Sequence, residues 1–276
     1  MVRNMEMFKD NKNIIIKNIE CFNIALSLDC GQAFRWRNIR DNVWCGVVKN
    51  KYLKIEQKEN NIIFYDTNED DFNLIWKEYF DLDRDYNSIL NNYDDENLIL
   101  ACKEYNGIRI LKQDDWEAIC SFIISANNNI PRIKGIIERF CENFGEKVGS
   151  GFSFPSCEVI AKLEVSDLEI IRAGFRAKYI LDAARKISTK EVDIEKIKNM
   201  DFEEAKQELL KIKGVGEKVA QCALLYGFGR LEAFPQDVWV KRIVSELYPT
   251  GLPDCIKGTE GIAQQYLFHW RRNLDN

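Results

Sequence analysis

The sequence predicts an α+β protein of the segregated kind: an N-terminal antiparallel β-sheet domain over residues 1–98, then a two-part all-α region over 99–276 containing a helix–hairpin–helix. Three observations predict it. Short β-branched and aromatic runs separated by polar breaks fill the first quarter of the chain. An acidic stretch at 66–96 ends them, and beyond it apolar residues recur at helical spacing.

The strands come first. VWCGVV (43–48), YLKIEQ (52–57) and IIFYD (62–66) are separated by Asn50-Lys51 and by Lys58–Asn61, which reads as an antiparallel meander. Residues 12–37 add another strand and a short helix before GQAFRW (31–36). DDWEAICSFIISAN (114–127) opens with an aspartate cap and is apolar on most faces, as a buried central helix would be. Asn129 caps the next helix, with Pro131 early in it, Ile133, Ile136, Ile137, Phe140 and Phe144 on one face, and Gly145 at its end. Ser156 and Ser166 each open a short helix, and 176–187 forms another. Asp201 with Glu204 resembles a capping box for a helix over 202–212, which Gly214 terminates. A further helix starts near Gly216 and runs to Tyr226. Asp237 caps one carrying Val238, Ile243, Val244 and Leu247, and the last covers about 258–272.

Composition narrows the function. The 276 residues are 46% apolar and 30% charged, and no apolar run approaches a membrane span. The N-terminal stretch MVRNMEMFKDNKNIII lacks the features of a secretory leader, and nine cysteines without CxxC pairs suit a reducing compartment. We therefore expect an intracellular protein, cytoplasmic or nucleoid-associated in a prokaryote. The absence of a four-cysteine cassette argues against an iron–sulfur cluster or a zinc site. A single histidine, His269, argues against Ser-His or Cys-His catalysis. The net charge of −5 is uneven. Residues 66–96 hold eleven acidic and two basic side chains, so the rest of the chain is net positive, with Arg172, Arg176, Lys178, Arg185 and Lys186 clustered against Asp182. A local basic face of that kind can hold a phosphate backbone.

The chemistry concentrates in 202–247. In a tight Lys-Gly-Val-Gly turn, Gly214 and Gly216 let the backbone bend and bring N–H groups at the next helix start, including that of Val219, close to a phosphate oxygen. Lys218 falls in the first turn of that helix, where a cation opposes the macrodipole. It reads as a surface charge, a phosphate anchor or a nucleophile. Attack on carbon requires a neutral amine, which the positive end of a helix in a partly dry cleft favours. Asp237, 19 residues on, also starts a helix; it reads as a cap, or as a carboxylate that stabilises a sugar oxocarbenium ion and moves protons.

These residues carry a resemblance. KGVGEKVAQCALLYGFGRLEAFPQDVWVKRI (213–243) resembles the helix–hairpin–helix and Gly/Pro…Asp signature of DNA base-excision glycosylases. GQAFRW (31–36), SFIISANNNIPRI (121–133), FPS (154–156), GFRAKYI (174–180) and GIAQQYLF (261–268) are similar, in order, to motifs of the 8-oxoguanine DNA glycosylases. The resemblance covers about residues 14–272. It implies a monomeric bifunctional glycosylase and abasic-site lyase acting on double-stranded DNA that contains 8-oxoguanine, with base extrusion, no required cofactor and no membrane partner.

Residue by residue, it implies that Lys218 attacks C1′ and forms a Schiff base, and that Asp237 is the essential aspartate. The Gly31 carbonyl would accept the N7–H that guanine lacks, and Gln264 would read the pairing edge. Phe268 and Cys222 would sandwich the ring. Asn127, Arg132 and Arg176 would hold the orphaned cytosine, while Phe175 wedges into the duplex. The carbonyls of Leu210, Ile212 and Val215 match a site where a structural cation, monovalent or divalent, bridges turn and phosphate. Tyr226 replaces a methionine of the animal enzymes in the base pocket, and Trp239 a histidine near the phosphates. The chain is also shorter around 249–260. These departures bear on pocket shape and opposite-base preference. Two other classes fit the hairpin alone: a glycosylase for another damaged base, and a non-catalytic DNA-binding module.

Overall fold

The computed structural model describes residues 5–274; the first four residues of the stretch read for a leader lie outside them. Six strands, β1 (Glu6–Asp10), β2 (Asn13–Lys17), β3 (Arg37–Arg40), β4 (Val43–Val48), β5 (Lys51–Lys58) and β6 (Asn61–Tyr65), form one sheet in the order β1-β2-β6-β5-β4-β3. Alternation sets the register. Ile14 pairs with Phe64 and Ile16 with Ile62, and these four side chains are buried on one face. Every residue of β1 and β3, the two edges, is exposed. Without an inward-facing alternation neither strand is visible in the hydropathy pattern.

Phe64 packs edge-on against Phe72 and Phe80, and Trp36 lies beside Phe80, so the acidic stretch contributes apolar residues to the sheet's core. Its carboxylates have local work. Asp85 accepts the Ser88 N–H at the start of Tyr86–Asn91, and Asp95 accepts the Leu98 N–H at the start of Glu96–Glu104.

The chain separates into two compact units, and compactness groups it differently from a linear split at 98/99. One unit comprises 1–45, 53–112 and 231–276; the other comprises 46–52 and 113–230. In the first, α1 (Ile24–Asp29) follows β2, and the chain returns at 231 to add α7 (Val238–Leu247) and α8 (Glu260–Leu274). The second is helical around α2 (Asp115–Ser125), which is packed by α3 (Ile130–Phe144), α4 (Ala177–Ser188) and α6 (Glu217–Tyr226), with α5 (Phe202–Leu210) against α6. Asp114 caps α2 through the Glu117 N–H, and Ile119, Phe122, Ile123 and Ile124 are buried along it. Each of those large side chains contributes roughly 1.5–3 kcal/mol. Ser156 caps a helix over Cys157–Ala161 as expected. Ser166 instead precedes a 3-10 segment, Asp167–Ile171, and makes no side-chain cap. Among the described residues, no helix is long and apolar enough to cross a membrane.

Candidate active site

The hairpin is built from its caps inward. Asp201 accepts the Glu204 N–H to start α5, and the chain leaves that helix through short-range bonds from Ile212 N to Leu209 O and from Val215 N to Ile212 O. Gly214 sits at φ +82 with its Cα against the ring of Tyr179 on α4. Two side chains of α4 hold the turn. The Asp182 carboxylate accepts the Lys213 N–H at 2.8 Å, and the Lys186 ammonium donates to the Lys211 carbonyl at 2.6 Å. Gly216 is the N-cap of α6 and supplies no side-chain cap. The N–H groups of the first turn, Val219 among them, are therefore directed at whatever binds there.

Lysines of the hairpin differ sharply in their partners. Lys211 pairs with Glu208 and Lys213 with Asp182. Lys218 has no carboxylate partner among the described residues, and its ammonium lies 5.3 Å from the centre of the Phe122 ring. Lys218, Cys222 and Tyr226 recur at every fourth residue of α6 and so form one stripe. Tyr226 stacks on Phe122 with centroids 5.2 Å apart, and Cys222 is buried. Phe122 thus touches the lysine at one end of the stripe and the tyrosine at the other. Nothing in the sequence distinguishes it from the other apolar residues of α2.

A second cluster lies in the same unit. Asn127 is left-handed at φ +50, immediately after α2. Arg176 is 3% exposed; it donates from Nε to the Ala126 carbonyl and from Nη2 to both Ala126 and Asn127 carbonyls. Burial, then the charge of neighbouring Arg132, lowers its pKa from the usual guanidinium value. The structure therefore brings Asn127, Arg132 and Arg176 together, with Arg176 serving also as the strut that fixes the Asn127 backbone. Phe175 is 56% exposed, its ring 4.5 Å from the Arg176 guanidinium. A large exposed ring backed by a buried cation is suited to insertion between bases.

The remaining site residues belong to the other unit. Asp237 caps α7: its Oδ1 accepts the Val240 N–H at 2.8 Å, which leaves Oδ2 uncommitted among the described residues. The Arg242 guanidinium lies 5.5 Å over Trp239. Gln264 is buried on α8, and its Oε1 has no hydrogen-bond partner among the described residues. An orphaned buried amide oxygen costs about 1–3 kcal/mol, so it marks a place where a ligand donor fits. Phe268, one turn further, is partly exposed beneath Arg272.

Gly31 follows α1 at φ +91. The buried Gln32 side chain donates to the Ser27 and Arg109 carbonyls and accepts the Leu111 N–H. From α8, Gln265 donates to the Cys30 carbonyl. Gln32 and Gln265 were not among the candidates read from sequence, because Arg109 and Leu111 for the one and Cys30 for the other are remote in the chain. Among the described residues, no three His, Cys, Asp or Glu side chains gather to hold a metal ion.

Comparison with known proteins gives a consistent result. Residues 14–119 match the family model of the 8-oxoguanine DNA glycosylase N-terminal domain, and residues 120–255 match that of HhH-GPD superfamily base excision DNA repair proteins. The N-glycosylase/DNA lyase of Saccharomyces cerevisiae is 31% identical over 271 residues, covering 87% of this chain and 72% of the yeast protein. A probable N-glycosylase/DNA lyase of Methanothermobacter thermautotrophicus is 34% identical over 194 residues, and the match spans 62% of that relative's length. The Clostridium acetobutylicum 8-oxoguanine glycosylase/lyase, crystallised with double-stranded DNA containing cytosine opposite 8-oxoguanine, superposes with a TM-score of 0.92 at 35% identity, covering 100% of both chains.

Proposed function

We propose that this chain, which belongs to the 8-oxoguanine DNA glycosylase family of helix–hairpin–helix base excision repair proteins, removes 8-oxoguanine from duplex DNA and then cleaves the strand. The observation that carries the reading is Lys218: a lysine without a carboxylate partner at an uncapped helix start, on one stripe with Cys222 and Tyr226.

In this mechanism the damaged nucleotide is turned out of the helix, because its C1′ is unreachable while stacked. The neutral Lys218 amine forms an Nζ–C1′ bond as the bond from C1′ to the base breaks, and the departing base takes up the electron pair and a proton. Asp237 Oδ2, unused by the cap, stabilises the positive charge that builds on the sugar. The sugar ring opens to a Schiff base; loss of a C2′ proton then expels the 3′ phosphate, which breaks the strand.

The Gly31 carbonyl accepts N7–H of 8-oxoguanine, and the unpartnered Gln264 Oε1 takes a donor from the pairing edge. Cys222 and Phe268 bracket the ring. Asn127, Arg132 and Arg176 receive the orphaned cytosine, with Phe175 filling the gap. The first-turn N–H groups of α6 hold a phosphate, and Trp239, with Arg242 over its ring, meets the DNA backbone. A cation would fit the backbone oxygens of Leu210, Ile212 and Val215, where Ile212 O keeps a lone pair beside its bond from Val215 N, and would add positive charge for that phosphate. The protein acts as a monomer.

Borohydride trapping on a duplex carrying 8-oxoguanine opposite cytosine tests the reading. Wild-type protein is expected to give a covalent adduct and Lys218→Gln none. No adduct from wild type, or an adduct from Lys218→Gln, would sink it.

A further inference from the structure

We propose that Gln265 is a positioning residue for lesion discrimination: by holding the Cys30 carbonyl, it aims the Gly31 carbonyl at the N7–H of the damaged base. The proposal rests on the role given to Gly31 above and adds the device that makes that role work.

Gly31 stands at φ +91, a region side-chain-bearing residues rarely enter. The freedom that lets glycine adopt this geometry also means that the residue does not itself fix the direction of its carbonyl. Something outside it must. On one flank the Gln32 side chain, 0% exposed, is bonded on both ends of its amide: Nε2 to the Ser27 and Arg109 carbonyls at 2.9 and 2.8 Å, and Oε1 to the Leu111 N–H at 2.9 Å. That pins the chain immediately after Gly31.

On the other flank the peptide joining Cys30 to Gly31 is held through its carbonyl by the Nε2 of Gln265, at 3.3 Å. Gln265 is 2% exposed. Cys30 is the residue that closes α1, so its carbonyl has no partner within that helix. Gln265 is its tie to α8. With the Cys30–Gly31 peptide held by Gln265 and the Gln32 side chain held on the far side, rotation at Gly31 is restricted from both ends, which limits where its carbonyl can point.

Gln264 and Gln265 then divide the work on α8. Successive helical residues point about 100° apart. Gln264 keeps its Oε1 unpartnered for the base, while Gln265 turns its amide to the loop that reads the same base. Base reading and loop aiming are thereby mounted on one helix.

A merely structural role would predict a different pattern of defects. A loosened helix lowers every activity together, whereas a misaimed Gly31 carbonyl harms only recognition of the base. Lysine chemistry on a pre-formed abasic site has no base to read. The test compares Q265M and Q265L, both close in size to glutamine, with wild type in two assays. One is single-turnover release of 8-oxoguanine opposite cytosine, and the other is borohydride trapping on a pre-formed abasic site.

We expect base release to slow about 5- to 10-fold, the worth of one buried hydrogen bond, with abasic-site trapping preserved within about twofold. Thermal melts identify which variant is folded. Wild-type rates of base release in a folded variant would overturn the proposal, as would parallel loss of both activities. Failure of the wild-type protein to release 8-oxoguanine at all would instead overturn the function proposed above.

Discussion

Gly214 and Gly216 lie two residues apart in one turn, and a methyl group is expected to act oppositely at each. At Gly214 the φ of +82 costs a non-glycine residue about 1–2 kcal/mol. A Cβ there would also stand 2.4 Å from Cγ and Cδ2 of Tyr179. Restoring ordinary contact requires a shift of about 1 Å, and overpacking of that kind costs roughly 1–3 kcal/mol. Gly214→Ala is thus expected to lose about 2–5 kcal/mol and to melt roughly 5–15 °C lower. At Gly216 the backbone is extended, at φ −102 and ψ −179, and a Cβ would meet nothing within 4 Å. Gly216→Ala should lose only about 0.5 kcal/mol through the poorer cap. Its methyl group nonetheless stands at the helix start where the proposed phosphate approaches, so DNA affinity should fall about tenfold while the melt barely moves. Thermal denaturation and duplex binding at one fixed salt concentration separate the two effects. Removing the ring supplies the control: in a double-mutant cycle, Tyr179→Ala should recover the overpacking portion of the Gly214→Ala loss but not the backbone portion. The reasoning fails if Gly214→Ala melts like wild type, or if Gly216→Ala binds DNA normally.

Three further outcomes follow from the geometry. Asp237→Asn keeps the acceptor that caps α7, so its stability should stay within about 0.5 kcal/mol of wild type while base release falls at least about 100-fold in a single-turnover assay. Arg176→Met removes three hydrogen bonds to the Ala126 and Asn127 carbonyls and should cost about 2–3 kcal/mol in urea unfolding; excision opposite each of the four bases should show a weaker preference for cytosine. Burial, then the Arg272 charge, pushes the His269 imidazole below its ordinary value of 6.5. The native protein there binds fewer protons than the unfolded chain, so this contribution to stability is complete above pH 6.5 and lost as pH falls towards the depressed value. Urea titrations on either side of that pH should show the decline, and His269→Asn should flatten it, since the chain has one histidine.

Local signals proved legible wherever local physics decides structure. Asp114, Asn129, Asp201 and Asp237 each accept the N–H three residues on, as their positions ahead of apolar runs implied. Strands β4, β5 and β6 were readable because burial alternates or runs along them. Edges β1 and β3 were not, because nothing along them is buried. The FPS motif shows how a resemblance can point to packing: Phe154 lies edge-on to Phe140, and the Pro155 carbonyl takes the Trp116 indole N–H. Long-range ties were invisible for a different reason. That Arg176 braces residue 127, or that Gln32 reaches Arg109 and Leu111, depends on chain segments meeting after folding. Lys218 could be placed at a helix start from sequence, but its lack of a carboxylate partner, among three hairpin lysines, needed the structure.

The contact between Gln265 and Cys30 spans 235 residues, and this has a consequence in time. Synthesis at about 5–20 residues per second puts roughly 12–47 s between the emergence of the two residues. Once Leu111 has been made, about a third of the way through that interval, the first flank of the Gly31 loop can be held by Gln32 with Ser27, Arg109 and Leu111. Its second flank waits for α8. A nascent chain can therefore complete the Lys218 hairpin before the loop proposed to select the base is braced, so on the proposed roles selectivity would mature after the lysine.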